Sequence, residues 1–141
     1  MDLDVESRRP DLLVEATSVI LLDTNAVIWL HRGDRRVAAL SQRGSRLYAS
    51  PATILELQFL IEAGRLRLRS GASVTQLIHD DRWVVDDPAS AAWFERASEI
   101  GFTRDPFDRL IVAHARLRQW RLATGDQGLL AQLSAGERIE L

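Results

Sequence analysis

Residues 18–22 read SVILL, a run with no polar side chain after its first residue, and the run stops at Asp23. Five residues are too few for a helix buried on every side, and the β-branched members favour extended backbone. A strand that is apolar on both faces must be covered on both faces, as in parallel sheets flanked by helices. The rest of the chain supplies that architecture in alternation. Further strands are expected at 46–49, 83–85 and 121–124, with an edge strand at 138–141. Between them, Thr24-Asn25 can cap a helix reaching about His31. Ser50-Pro51 opens a helix to Ala63 that Gly64 stops, and 73–80 forms a shorter one. Asp87-Pro88 starts a helix through Ile100, Asp105-Pro106 another to about Gln119, and Asp126 caps the last, through Leu133. The alternation predicts one three-layer α/β/α domain with a mostly parallel central sheet of about five strands.

At 141 residues the chain fits one domain, expected at 18–141. Residues 1–17 are mixed in charge, contain Pro10 and show no period; they read as a loosely held extension with a short helix around 12–16. There is no internal repeat, low-complexity tract or linker. Apolar residues at 46% and charged residues at 27% place the chain among globular rather than disordered proteins. The absence of cysteine excludes disulfides and thiolate metal sites. No apolar run approaches the roughly 20 residues needed to span a bilayer, and the acidic start lacks the pattern of a secretion signal. A cytoplasmic protein with no membrane partner is expected.

The formal net charge of −2 gives no bulk attraction to nucleic acid, yet all eighteen basic residues are Arg. They cluster in HRGDRR, QRGSR and GRLRLR. Guanidinium forks suit phosphate, although GC-rich coding explains an all-Arg set equally well.

Four acids stand where an apolar segment gives way to something else: Asp23, Glu56, Asp108 and Asp126. In an open α/β sheet, ligands collect outside the carboxyl ends of the strands, where strand order reverses. Asp23 closes the first, central-looking strand and points there, unless it merely caps the next helix. Glu56 lies in ILELQFLIEA, a helix apolar nearly all round and therefore read as buried; a carboxylate there needs a partner, either a cation or an Arg. Asp105 and Asp108 flank Pro106 much as in a capping box, and Asp126 is also a plausible N-cap. If the acids meet, two unit charges about 4 Å apart repel by roughly 4 kcal/mol at an effective dielectric of 20. Protons or a hard cation must relieve that, and oxygen-only ligands favour Mg²⁺ or Mn²⁺. Such ions activate water and stabilise a leaving oxygen without a side-chain base. The three His lie apart from one another and from the acids in metal-ligand spacing, and His114, on the face of Phe107, Leu110 and Ile111, reads as a hydrogen-bonded core or interface residue.

With these residues in view, the sequence from about Val19 onward resembles the PIN-domain ribonucleases, most closely the VapC-type toxins of bacterial toxin–antitoxin pairs. LLDTNAVIWL is similar to the family's opening motif, SPATILELQFLIEAGRLRL to the second, RDPFDRLIVAHA to the third and LATGDQGLL to the fourth. The resemblance implies that Asp23, Glu56 and Asp108 hold a Mg²⁺ or Mn²⁺ ion directly. Asp126, with Asp105 as auxiliary, would act directly or through water. Asn25 and Thr124 would be polar neighbours of these acids. It implies an endoribonuclease leaving a 5′-phosphate and a 3′-hydroxyl, inhibited by a VapB-like antitoxin and acting as a homodimer. Arg65, Arg67 and Arg109 are candidates for RNA contact, with pairing to a carboxylate open for Arg109. Exposed apolar residues around 55–61 and the Trp93-Phe94 pair would supply the dimer surface and a groove for the antitoxin. The chain departs from the pattern at Thr103, where many relatives carry His, at His114, where Gln is common, and in residues 1–17.

Two other classes compete. A PIN-like module could bind RNA or protein without cutting. A receiver-type phosphoacceptor also places Asp at a strand end, but the chain has no Lys for the pocket of such domains.

Overall fold

The computed structural model describes residues 18–41, 44–69 and 71–141. The expected extension, with its helix around 12–16, lies outside the described residues. Five strands, β1 (Val19–Leu22), β2 (Arg46–Ala49), β3 (Val84–Val85), β4 (Arg121–Thr124) and β5 (Arg138–Glu140), form one sheet in the order β3-β2-β1-β4-β5. Every pairing is parallel. The apolar β1 is central, as its composition requires, with Leu21 and Leu22 fully buried.

Alternation along β1 divides the core. Ile20 and Leu22 face one layer, built with α1 (Thr24–Arg32), Leu57 of α2 (Pro51–Glu62) and Leu77 and Ile78 of α3 (Val74–Ile78). Leu21 faces the other, with α4 (Ser90–Ser98), α5 (Pro106–Arg118) and Leu129 of α6 (Gln127–Leu130). Full burial of each such side chain contributes about 1.5–3 kcal/mol. A polar group at Leu21 would break the second layer, because that position has no solvent on either side.

Several boundaries differ from the sequence reading, for identifiable reasons. The residues 33–41 carried no expected element, yet a 3₁₀ helix spans Arg35–Ser41. Asp34 starts it by accepting the Arg36 N–H at 2.9 Å, and Val37 and Leu40 bury beneath it. The helix expected from Pro88 begins at Ser90, with Ala89 at its N-cap and no side-chain cap. The α6 helix ends at Leu130 rather than Leu133.

Two burial expectations are corrected. The α2 helix is not buried all round: only Ala52, Thr53 and Leu57 are, while Leu55 is 65% and Phe59 48% exposed. Of the Trp93-Phe94 pair, only Phe94 is exposed; Trp93 is in the core, its indole N–H donating to the Leu110 carbonyl at 2.7 Å.

The buried His114 is hydrogen-bonded, as expected of a core histidine. Its Nε2 lies 2.7 Å from Asp86 Oδ2, and Arg118 Nε donates to the same oxygen at 2.8 Å. Burial pushes the His114 pKa below the usual histidine value, with Asp86 opposing. The group ties α5 to the residue that follows β3.

Candidate functional site

Strand order reverses at β1: the chain runs from β1 through β2 to β3 on one side, then returns to place β4 on the other. The crevice at the carboxyl ends of β1 and β4 is therefore the expected ligand position. A cavity of about 190 Å³ opens there, and Asp23, Glu56, Asp105, Asp108 and Asp126 all line it. Acids from the ends of two strands and from the helices α2 and α5 thus reach one place. Asn25 and Arg65 share the lining.

The competing roles of the acids turn out to be compatible. Asp23 is the N-cap of α1, Asp105 of α5 and Asp126 of α6. Their Oδ1 atoms accept from Ala26 N at 2.7 Å, Phe107 N at 2.8 Å and Leu129 N at 3.0 Å. A carboxylate has two oxygens, so a cap leaves the second for the cavity. Three helices consequently begin at the site, and the partial positive charge of their first turns favours anions there.

Thr24, expected as a cap, is instead the first residue of α1. Its hydroxyl donates to Glu56 Oε1 at 2.5 Å and stands 3.0 Å from the buried hydroxyl of Thr53. The partner of Glu56 is therefore a threonine, with Arg65 contributing electrostatically. Thr124 is fully buried; its oxygen accepts the Asp126 N–H at 3.0 Å, and its hydroxyl bonds the Asp23 carboxylate.

Burial and the gathered charge displace three of these groups above the ordinary carboxylate range. Burial, followed by repulsion from Asp105, Asp126, Glu56 and Asp23, pushes Asp108 up to about 7. Burial pushes Asp23 up to about 6, against the Thr124 and Ala26 hydrogen bonds. Glu56 is also raised, chiefly by burial. Among the described residues, no group of three or more His, Asp or Glu side chains is disposed to hold a metal ion as placed. The donor set is nonetheless all oxygen, charged beyond what the cavity sustains without protons or a cation, and so chemically suited to a hard divalent ion.

The arginines separate. Arg65 faces the acids, Arg67 lines a different cavity, and Arg109 does neither: its Nε donates to the Thr103 carbonyl at 2.8 Å, fixing the loop that leads into α5. Phe59 and Phe107, with ring centroids 5.8 Å apart, form an aromatic wall of the acidic cavity. Neither was singled out in the sequence, where both resemble ordinary core residues.

Fold and cavity together define a parallel α/β domain with a carboxylate pocket at its switch point. The family model described as the PIN domain matches residues 20–134, and the chain belongs to the PIN-domain family. A toxin–antitoxin complex from Klebsiella pneumoniae has a chain with the same fold, at 18% identity and a TM-score of 0.55, covering 86% of this chain and 99% of that one. FitAB bound to an IR36 DNA fragment matches at 25% identity and a TM-score of 0.49, over 86% of this chain and 94% of that one. FitAcB from Neisseria gonorrhoeae matches at 26% and 0.48, over 82% and 94%. No curated protein matches the sequence significantly.

Proposed function

We propose that the protein is a Mg²⁺- or Mn²⁺-dependent endoribonuclease, the toxin of a VapC-type toxin–antitoxin pair. The observation that carries this reading is the convergence of Asp23, Glu56, Asp108, Asp126 and Asp105 on one cavity, where burial and then mutual repulsion raise the Asp108 pKa to about 7. Asp23, Glu56 and Asp108 would hold the ion, with Asp126 and Asp105 contributing directly or through water. Bound there, a divalent ion supplies an activated water and neutralises the leaving oxygen. The chain's own part is to fix the carboxylates. Thr24 orients Glu56, and Thr124 and the first turn of α1 orient Asp23.

Partners follow from the surface. The exposed Ile54, Leu55 and Phe59 on α2, and Phe94 on α4, support apolar contacts with a second copy or with a VapB-like antitoxin. An antitoxin Arg inserted among the acids would relieve their repulsion and block the site. No helix among the described residues is long and apolar enough to cross a membrane.

Incubating the pure protein with single-stranded RNA and Mn²⁺ tests the activity. Shortening that EDTA stops, and that Asp23→Asn and Asp108→Asn each abolish, is the expected result. Undiminished cleavage by both folded variants would refute the assignment. The alternative reading is a PIN-like module that binds RNA or protein without cutting. RNA retention with no shortening in Mn²⁺ would select it.

A further inference from the structure

The segment after α2 reads Arg65-Leu66-Arg67-Leu68-Arg69 and belongs to no regular element. Gly64, at φ 73°, turns the chain out of the helix, and Arg65 N donates to the Leu60 carbonyl at 2.8 Å. Beyond that point burial alternates: Leu66 is buried, Leu68 is half-buried, and the three arginines are exposed. An extended chain with that period presents its arginines on one side, about 6–7 Å apart.

Arg65 lines the acidic cavity, whereas Arg67 and Arg69 line a second one of about 80 Å³. The opposite wall of the second cavity is α1, through Ile28, His31 and Arg32. Helix α1 therefore borders both cavities, with Asn25 on the first and Arg32 on the second, about 10 Å apart along the axis at 1.5 Å per residue.

The chemistry of this second cavity is unlike that of the first. No carboxylate lines it, and Arg32, Arg67 and Arg69 form no ion pair among the described residues. Of the nearby acids, Asp34 is paired by Arg36 at 3.0 Å and Asp80 by Arg82 at 2.8 Å, and each also acts at longer range on this cavity, Asp34 on Arg32 and Asp80 on His31. His31 Nδ1 is buried with no hydrogen-bond partner.

We propose that this second cavity binds a backbone phosphate of the RNA strand whose neighbouring phosphodiester lies over the acids, with Arg65, Arg67 and Arg69 as a track between the two. The inference rests on the nuclease reading and supplies what that site lacks. An acidic pocket repels a polyanion, so the strand must be held beside it by cations. Guanidinium forks donate to phosphate oxygens from several directions at once. Repeated spacing along an extended segment matches a repeating anion better than an isolated carboxylate. The contact carries no base information, so it sets the register of the strand rather than its sequence.

The test uses the full chain and a labelled single-stranded RNA of mixed sequence, titrated in EDTA at several salt concentrations. The double variant Arg67→Gln/Arg69→Gln should bind about tenfold more weakly near 0.1 M salt. Its slope of log affinity against log salt should fall by about 1.4, the loss of two contacts to a single strand. Arg96→Gln, on α4, should leave affinity and slope unaltered. Cleavage by the wild type in Mn²⁺ is scored separately. If the wild type cuts RNA while the double variant binds with unchanged affinity and slope, the phosphate site is refuted and the nuclease stands. If the wild type binds, the double variant loses the contacts, and nothing is cut, the site stands and the nuclease falls. If the wild type neither binds nor cuts RNA, both fall. A double variant that loses affinity for polyglutamate while keeping RNA affinity also overturns the proposal, in favour of an acidic protein partner.

Discussion

The hydroxyl of Thr24 donates to Glu56 across a distance of 2.5 Å, joining the first turn of α1 to the middle of α2. Both residues line the acidic cavity, so this bond sets where a carboxylate from a separate segment comes to rest. Thr24→Val removes the donor to Glu56 and strands the buried Thr53 hydroxyl, at an expected loss of about 1–2 kcal/mol in urea unfolding. Thr24→Ser should retain most of that stability. A valine variant as stable as wild type would mean that the bond does not position Glu56.

The raised Asp108 and Asp23 predict a stability difference with a definite pH window. A carboxyl whose native pKa exceeds its unfolded value binds more protons when folded, so its contribution worsens as pH rises from about 4 to about 7. In metal-free protein, Asp108→Asn should therefore be more stable than wild type at pH 8, and the two should coincide near pH 4. Partial exposure of Asp108 reduces the gain well below the full shift, to about 1–2 kcal/mol. Parallel thermal melts across that range give the answer; a difference independent of pH would contradict it.

Divalent ions should act in the same window with opposite effect on the wild type. Mn²⁺ binding requires ionised carboxylates, so it should raise the melting temperature at pH 8 and much less at pH 5. Asp108→Asn should blunt the response. A shift equal at both pH values would place the ion elsewhere.

Gly125 stands between Thr124 and Asp126, and a Cβ there would lie 2.7 Å from the Trp29 ring edge. Gly125→Ala should destabilise by about 1–3 kcal/mol through overpacking, and the shift should disturb Asp126 and lower cleavage. Trp29→Phe shortens the ring, so the pair of substitutions should recover part of the loss. A strictly additive cycle would show that the glycine is not there to admit the indole.

The parts of this structure legible in the sequence are those governed by local rules. Val19–Leu22 announces a strand covered on both faces, and Ser50-Pro51 announces the start of α2, because each follows from side chains within one segment. The convergence of the acids could be anticipated from strand ends in a parallel sheet. Contacts between distant segments could not. Nothing local to Thr24 identifies Glu56 as its acceptor, and nothing in Arg109 directs it to the Thr103 carbonyl rather than to a carboxylate or RNA. An all-apolar helix has the same sequence whether the protein's own core or a surface receives it, so α2 supported both a buried helix and exposed apolar residues around 55–61; the structure exposes Leu55 and Phe59.

Because Asp23, Asp105 and Asp126 each start a helix, their side chains answer to two independent demands. Asparagine satisfies the first as well as aspartate does and fails the second. One nucleotide change in an Asp codon could thus silence whatever the carboxylates accomplish while the polypeptide folds undisturbed. On the proposed toxin reading, such positions offer the shortest path from an active protein to an inert lookalike.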